Sequence, residues 1–187
     1  MSNIYVYNKV LPNILCKDII NKFNNITEKD YIYNNVTDNI QMCEYKIPMQ
    51  DQLWERIENT LSKVLLSCLL KHPNIENLIL DSFYIQKYVA NNNLCIDNYN
   101  TKLSRYNKLT FILYLSGFES AEVKLISEPG NIEIKEINKN TLILIPEDIN
   151  YIYQHKLHKG NNYIITGQLR TDSTHTIGRM VEKGFVY

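Results

Sequence analysis

The segment LTFILYLSGFESAEVKLIS, Leu109 to Ser127, limits what this chain can fold into more than any other stretch. Leu109, Phe111, Leu113 and Leu115 share one parity and Thr110, Ile112, Tyr114 and Ser116 the other, the period of two that a strand imposes. Both sets are largely apolar, so this strand belongs in the middle of a sheet with both faces covered. After a short turn at Ser116 to Ser120, Val123 and Leu125 alternate with Glu122 and Lys124. That pattern predicts a second strand with one face wet.

Upstream, the periodicity predicts a strand over Ile4 to Val10, then an amphipathic helix after Pro12 with Leu15, Ile19 and Phe23 on one face and Cys16 and Ile20 beside them. Residues 24–39 are polar and rich in turn formers, and Gln41 to Ile47 reads as a strand closed by Pro48. The strongest helix runs from about Asp51 to Leu70. Asp51 is its N-cap, and Leu53, Ile57, Leu61, Val64, Leu65, Cys68 and Leu69 form its apolar stripe. Trp54, on the shoulder of that stripe, reads as packing. From Asn77 to Val89 the period returns to two, with Leu78, Leu80, Ser82 and Tyr84 opposed to Ile79, Asp81, Phe83 and Ile85. Residues 91–108 form a long polar connection, of a length usually reserved for function. Further strands are predicted at Ile132 to Lys135, Leu142 to Ile145 and Tyr163 to Arg170, and the tail from Thr171 is weakly patterned.

Two helices followed by many short strands define an α+β chain whose β part is a sandwich or jelly roll. With 187 residues and 44% hydrophobic content there is enough for one core, so a single domain over residues 1–187 is expected. Lys+Arg and Asp+Glu both total 20, which leaves no global field to attract nucleic acid or an anionic membrane. No stretch reaches the roughly 18 apolar residues of a membrane span, and MSNIYVYNKV lacks a basic region with an apolar run behind it. A cytoplasmic protein is expected. Cys16, Cys43, Cys68 and Cys95 stand singly, which argues against a zinc cluster and a disulfide framework.

In this order the elements resemble the iron- and 2-oxoglutarate-dependent dioxygenases of the prolyl 4-hydroxylase type, over nearly the whole chain. VLPNILCKDII is similar to their opening strand-to-helix segment and PMQDQLWERIENTL to their supporting helix. Tyr88 followed by Cys95-Ile96-Asp97 stands where the family has a tyrosine-ended strand and a His-x-Asp loop. Leu109 to Leu115 resembles their LTFxxYLN strand, and Phe118-Glu119-Ser120-Ala121-Glu122-Val123 their F-E-G-G-E-T turn. Thr141 to Pro146 and Gly160 to Thr166 are similar to the strands on either side of their second histidine. The resemblance implies a double-stranded β-helix, or jelly roll, supported by two N-terminal helices. Within the family, Ile47-Pro48-Met49, Ile57-Glu58-Asn59, Lys87-Tyr88 with Asn91-Asn92-Asn93, and Val123-Lys124-Leu125 with Pro129-Gly130-Asn131-Ile132 resemble the prolyl-hydroxylase-like N-terminal domain of poxviral immune-evasion proteins.

An active member holds Fe(II) by two histidines and a carboxylate on one face of the metal, leaving room for 2-oxoglutarate and O₂. It also needs a Lys or Arg on the far carboxylate of 2-oxoglutarate, because an unpaired buried charge is very costly. Matched by position, the first histidine is Cys95, the carboxylate is Asp97, the second histidine is Ile152 and the basic residue is Asn162. Only Asp97 keeps the family's chemistry. The expectation is therefore a catalytically inactive scaffold, viral, with no cofactor, acting on a protein partner. By resemblance that partner is the host oxygen-sensing prolyl hydroxylase of hypoxia signalling. The alternative is an active, divergent dioxygenase using Fe(II) and 2-oxoglutarate through Cys95, Asp97 and His155. His155 and His158 lie three and six residues beyond the expected site. Arg170 has the parity of Asn162, but eight residues place it about 26 Å along the strand, too far to replace it.

Overall fold

The computed structural model describes residues 4–26, 32–37, 40–71, 78–90, 94–99, 107–116, 121–127, 131–146, 151–157 and 159–171. Strand β1 (Tyr5–Asn8) leads into α1 (Asn13–Asn24), and β2 (Ile32–Thr37) and β3 (Ile40–Lys46) precede α2 (Gln52–Lys71). Then come β4 (Leu78–Ala90), β5 (Leu94–Tyr99), β6 (Asn107–Ser116) and β7 (Ala121–Ser127). The remaining described strands are β8 (Asn131–Ile137), β9 (Thr141–Pro146), β10 (Tyr151–Leu157) and β11 (Gly160–Thr171).

They form two antiparallel sheets, one of seven strands in the order β1-β9-β6-β11-β4-β3-β2 and one of four in the order β5-β10-β7-β8. From β4 onward the chain passes repeatedly between the two, the alternation by which a jelly roll closes sheet on sheet. The Leu109 to Ser127 segment is therefore split. β6 lies between β9 and β11 in the large sheet, as its two apolar faces require, whereas β7 pairs with β8 and β10 in the small one.

Both helices lie on one face of the seven-stranded sheet. Leu15, Cys16, Ile19 and Phe23 of α1 and Leu53, Trp54, Ile57 and Leu61 of α2 are buried against Phe83, Ile85, Phe111, Leu113, Leu144 and Ile165. Trp54 stacks on Phe83 with ring centroids 4.0 Å apart and planes 17° apart. The opposite face carries a second cluster, which includes Tyr88, Ile112, Tyr114, Ile143 and Ile164. Burial pushes the Cys16 thiol up from its ordinary value, against the weaker pull of Lys139 and a backbone hydrogen bond, so it behaves as a small core residue. Among the described residues no helix is long and apolar enough to cross a membrane.

Parity along β4 departs from the sequence pattern at one point. Ser82 pairs with Gln168 but Leu80 pairs with Leu169, which makes Asp81 the extra residue of a β-bulge. The bulge moves Leu80 onto the helix-covered face with Phe83 and Ile85. Three strands were not anticipated. β2 lies in the polar 24–39 region, β5 within the supposed connection at 91–108, and β10 just after the hydrophobic β9. Each is polar on at least one face and takes its conformation from its sheet neighbours rather than from propensity.

The two helices are tied at their ends. Asp51 caps α2 by accepting the Leu53 N–H at 2.8 Å and pairs with Lys22 near the end of α1. Arg56 reaches Asp18 at 2.7 Å in the open, where such pairs contribute little. A more confined contact holds the start of α1. Asn140, in the β8–β9 turn at φ 66°, is 4% exposed. It donates its N–H to Tyr114 O at 2.6 Å and accepts Val10 N–H at 3.2 Å. Its side chain accepts Leu11 N–H at 2.8 Å and donates to Leu11 O. Asparagine suits this position because it tolerates the left-handed region and brings both a donor and an acceptor.

Three outcomes follow from these contacts. Asn140→Ala leaves both Leu11 backbone groups unpaired in the interior and should cost about 2–5 kcal/mol in urea unfolding. Asn140→Gly should be less damaging than alanine by about 1 kcal/mol, since it relieves only the backbone strain. For Asp51, burial alone would raise the carboxyl, but Lys22 and the Leu53 N–H together hold it below its ordinary value. A depressed folded pKa contributes stability above the unfolded value and loses it as pH falls. The stability difference between wild type and Asp51→Asn should thus be full at neutral pH and shrink below about pH 4, read as urea midpoints across a pH series.

Candidate functional site

The face of the seven-stranded sheet away from the helices holds the polar groups of interest. Asn162 of β11 pairs with Tyr88 of β4, and Ile164 pairs with Gln86 of β4 and Tyr114 of β6. Asn162 is fully buried, as is Tyr114, and Tyr88 is nearly so. The Asn162 amide donates to Gly160 O at 3.1 Å, across a backbone that turns at Gly160 with φ 109°. Tyr88 Oη donates to Gln86 Oε1 at 2.9 Å, and Gln86 Nε2 donates to Glu44 Oε2 at 2.5 Å. Thr110, further along the same face of β6, has a buried hydroxyl with no hydrogen-bond partner among the described residues.

On the helix-covered side of β11, α1 fixes the start of the strand. Phe23 meets Tyr163 edge to face at 6.1 Å, and Tyr163 Oη donates to Asn24 Oδ1 at 2.9 Å. These contacts hold Tyr163 on one face and therefore Asn162 on the other, since neighbours along a strand alternate.

For β5 and β10 the pairing is described and the side chains are not. Cys95 lies opposite Lys156, Asp97 opposite Gln154 and Ile152 opposite Tyr99, so Cys95, Asp97 and Ile152 share one face of the four-stranded sheet. His155 lies opposite Ile96 and Val123, on the other face. The register thus groups Cys95 and Asp97 with Ile152 and separates His155 from them. Arg170 pairs with Ile79 and Asn107 at the far end of β11. His158 lies outside the described residues, and among those described no group of three His, Cys, Asp or Glu is placed to hold a metal.

Among the described residues, the group at position 162 does not fit the far carboxylate of 2-oxoglutarate. A carboxylate brought into the large sheet's inner face at residue 162 would meet a neutral amide already engaged with its own strand. The described cations of β3 and β4 are directed elsewhere. Lys87 sits over the Tyr163 ring at 5.7 Å, on the helix side. Lys46 sits over Tyr84 at 5.8 Å, four residues or about 13 Å along β4 from Tyr88. The polar row of Tyr114, Gln86 and Glu44 had only a parity signal in sequence. Thr110 and Tyr114 were visible as one face of β6, but their neighbours on β3 and β11 were not.

No family model matches the sequence, and no curated protein sequence matches it. Solved structures do match. A prolyl 4-hydroxylase from Pseudomonas putida is similar with a TM-score of 0.64 and 11% identity, over 91% of this chain and 93% of that one. A prolyl hydroxylase from Trichoplax adhaerens, in complex with a hypoxia inducible factor oxygen degradation domain peptide, has a TM-score of 0.63 and 14% identity over 89% and 83%. The viral collagen prolyl hydroxylase of Paramecium Bursaria Chlorella virus-1, in its 2-oxoglutarate complex, has a TM-score of 0.58 and 12% identity over 92% and 97%. The chain has the fold of these oxygenases, and fold alone does not carry their chemistry.

Thr110 gives a direct check on this face. Thr110→Val removes a hydroxyl that is buried without a partner among the described residues and should stabilise the protein by about 1 kcal/mol, seen as a raised urea midpoint with unchanged m.

Proposed function

We propose that this chain is a double-stranded β-helix of the prolyl-hydroxylase type that binds a protein partner and does not turn over 2-oxoglutarate. The observation that carries the reading is Asn162, a fully buried neutral amide at the position that, by resemblance, pairs the cosubstrate's far carboxylate. Removing that cation while keeping the site dry leaves the carboxylate's desolvation uncompensated, a cost of several kcal/mol. Matched by resemblance, the family's two histidine positions hold Cys95 and Ile152, neither of which is the ligand the family uses there.

The segments that resemble the poxviral immune-evasion domain support a viral source and, as partner, a host oxygen-sensing prolyl hydroxylase met in the cytoplasm. Two fold relatives give this reading context, one from a virus and one bound to a hypoxia inducible factor peptide. A scaffold that shares the partner's fold but lacks its cosubstrate grip can act only through its surface.

The experiment has two arms. Calorimetry with Mn(II) and 2-oxoglutarate, together with a succinate assay under Fe(II) and ascorbate, should give no binding heat and no product above the protein-free rate. Fe(II)-dependent succinate formation would overturn the reading. In the second arm, the purified catalytic domain of a host oxygen-sensing prolyl hydroxylase is passed over the immobilised protein in surface plasmon resonance. A saturable response is expected, and its absence would remove that partner.

A further inference from the structure

Asn162 lies on the face of the seven-stranded sheet that carries Tyr88, Ile112, Tyr114 and Ile164. Ile137 of β8, which belongs to the four-stranded sheet, is fully buried in that same cluster. The face of the small sheet that includes Ile137 is therefore the one turned toward Asn162. Residues directly opposite in an antiparallel ladder share a face, and so do residues two apart along a strand. From Ile137 the face passes to Ala121 on β7, two residues on to Val123, across to His155 on β10, and across again to Ile96 on β5. Asn98, opposite Tyr153, lies on it as well. Along these three pairings the register is unbroken. Asp97, Cys95 and Ile152 fall on the opposite face.

A metal that shares a site with a cosubstrate anchored at residue 162 must lie between the two sheets. Its ligands can come only from the inner face. We infer that the inner-face positions of this chain are Ile96, Asn98 and His155, and that Asp97 lies off the metal position. These three positions offer one imidazole and no carboxylate, a set without the anionic ligand that a facial triad requires; the carboxylate that the register does put on this face, Glu133, stands opposite Leu125 on the edge strand β8. The loss of metal binding is then a matter of register as well as of residue type. A one-residue offset between motif and pleat carries every side chain of β5 to the other face.

This inference rests on the reading of the chain as inactive, and the two fail separately. Two double variants of the full chain are compared by Co(II) titration followed through visible absorption, with thermal unfolding as the check on folding. Ile96→His with Asn98→Asp retains His155 and should bind Co(II) at least tenfold tighter than wild type. Cys95→His with Ile152→His retains Asp97 and should remain at the wild-type level. Co(II) binding by the second variant, or no gain in the first, would overturn the assignment. A second measurement covers a variant that fails to fold. Native thiol labelling resolved by mass spectrometry should modify Cys95 of the wild type at least tenfold faster than the new thiol of Ile96→Cys in a Cys95→Ser background. Equal or reversed rates would overturn it too. Succinate formation by the wild type, in contrast, would sink the inactive reading and leave the register assignment to these variants.

Discussion

Burial of both faces of the seven-stranded sheet is the constraint on which the rest of this protein depends. One face is closed by α1 and α2, the other carries the Tyr88, Tyr114 and Ile164 cluster, and a strand in such a position can be polar on neither side without a specific partner. β6 and β9 meet the condition with the buried apolar runs Phe111 to Leu115 and Leu142 to Ile145. The buried turn residue Asn140 meets it with specific partners. Asn140 spends donor and acceptor on the backbone of Leu11, 129 residues away in sequence, and so fixes where β1 ends and α1 begins. The helices that cover one face are thus positioned by a turn that follows the small sheet.

The same constraint explains why a neutral residue at 162 is structurally comfortable. An arginine there would bring a buried charge that only an anionic ligand could offset. Asparagine needs no ligand, because its amide turns back to Gly160 O. A neutral amide at this position can therefore persist as ordinary core. Thr110 is the exception on this face, a buried hydroxyl left without a described partner.

Much of this was legible in the sequence wherever side-chain pattern and local structure coincide. The apolar stripe of α2, the Asp51 cap, the packing role of Trp54 and the two faces of β6 follow from periods of 3.6 and 2. β2, β5 and β10 were not legible, because strands such as IYNNVT and YIYQHKL are held by pairing on one or both edges rather than by their own composition. The parity of β4 was misread below Phe83 because a bulge at Asp81 leaves no mark in an alternating pattern that continues on both sides of it. Asn140 looked like a turn residue and nothing more, since its partners lie at the other end of the chain.

The candidate site shows the same limit in its sharpest form. Cys95-Ile96-Asp97 can be set against a His-x-Asp motif letter by letter, and the comparison identifies which residues were replaced. It says nothing about which face of β5 the letters occupy, because that is decided by how β5 pairs with β10 and β10 with β7. Ile137 supplies the missing reference, being the described residue of the small sheet that is buried among residues of the large one. Once the face is set by Ile137, His155 and Asp97 belong to different sides of one sheet. The pairing of β10 with β5 alone already sets these two positions at opposite parity.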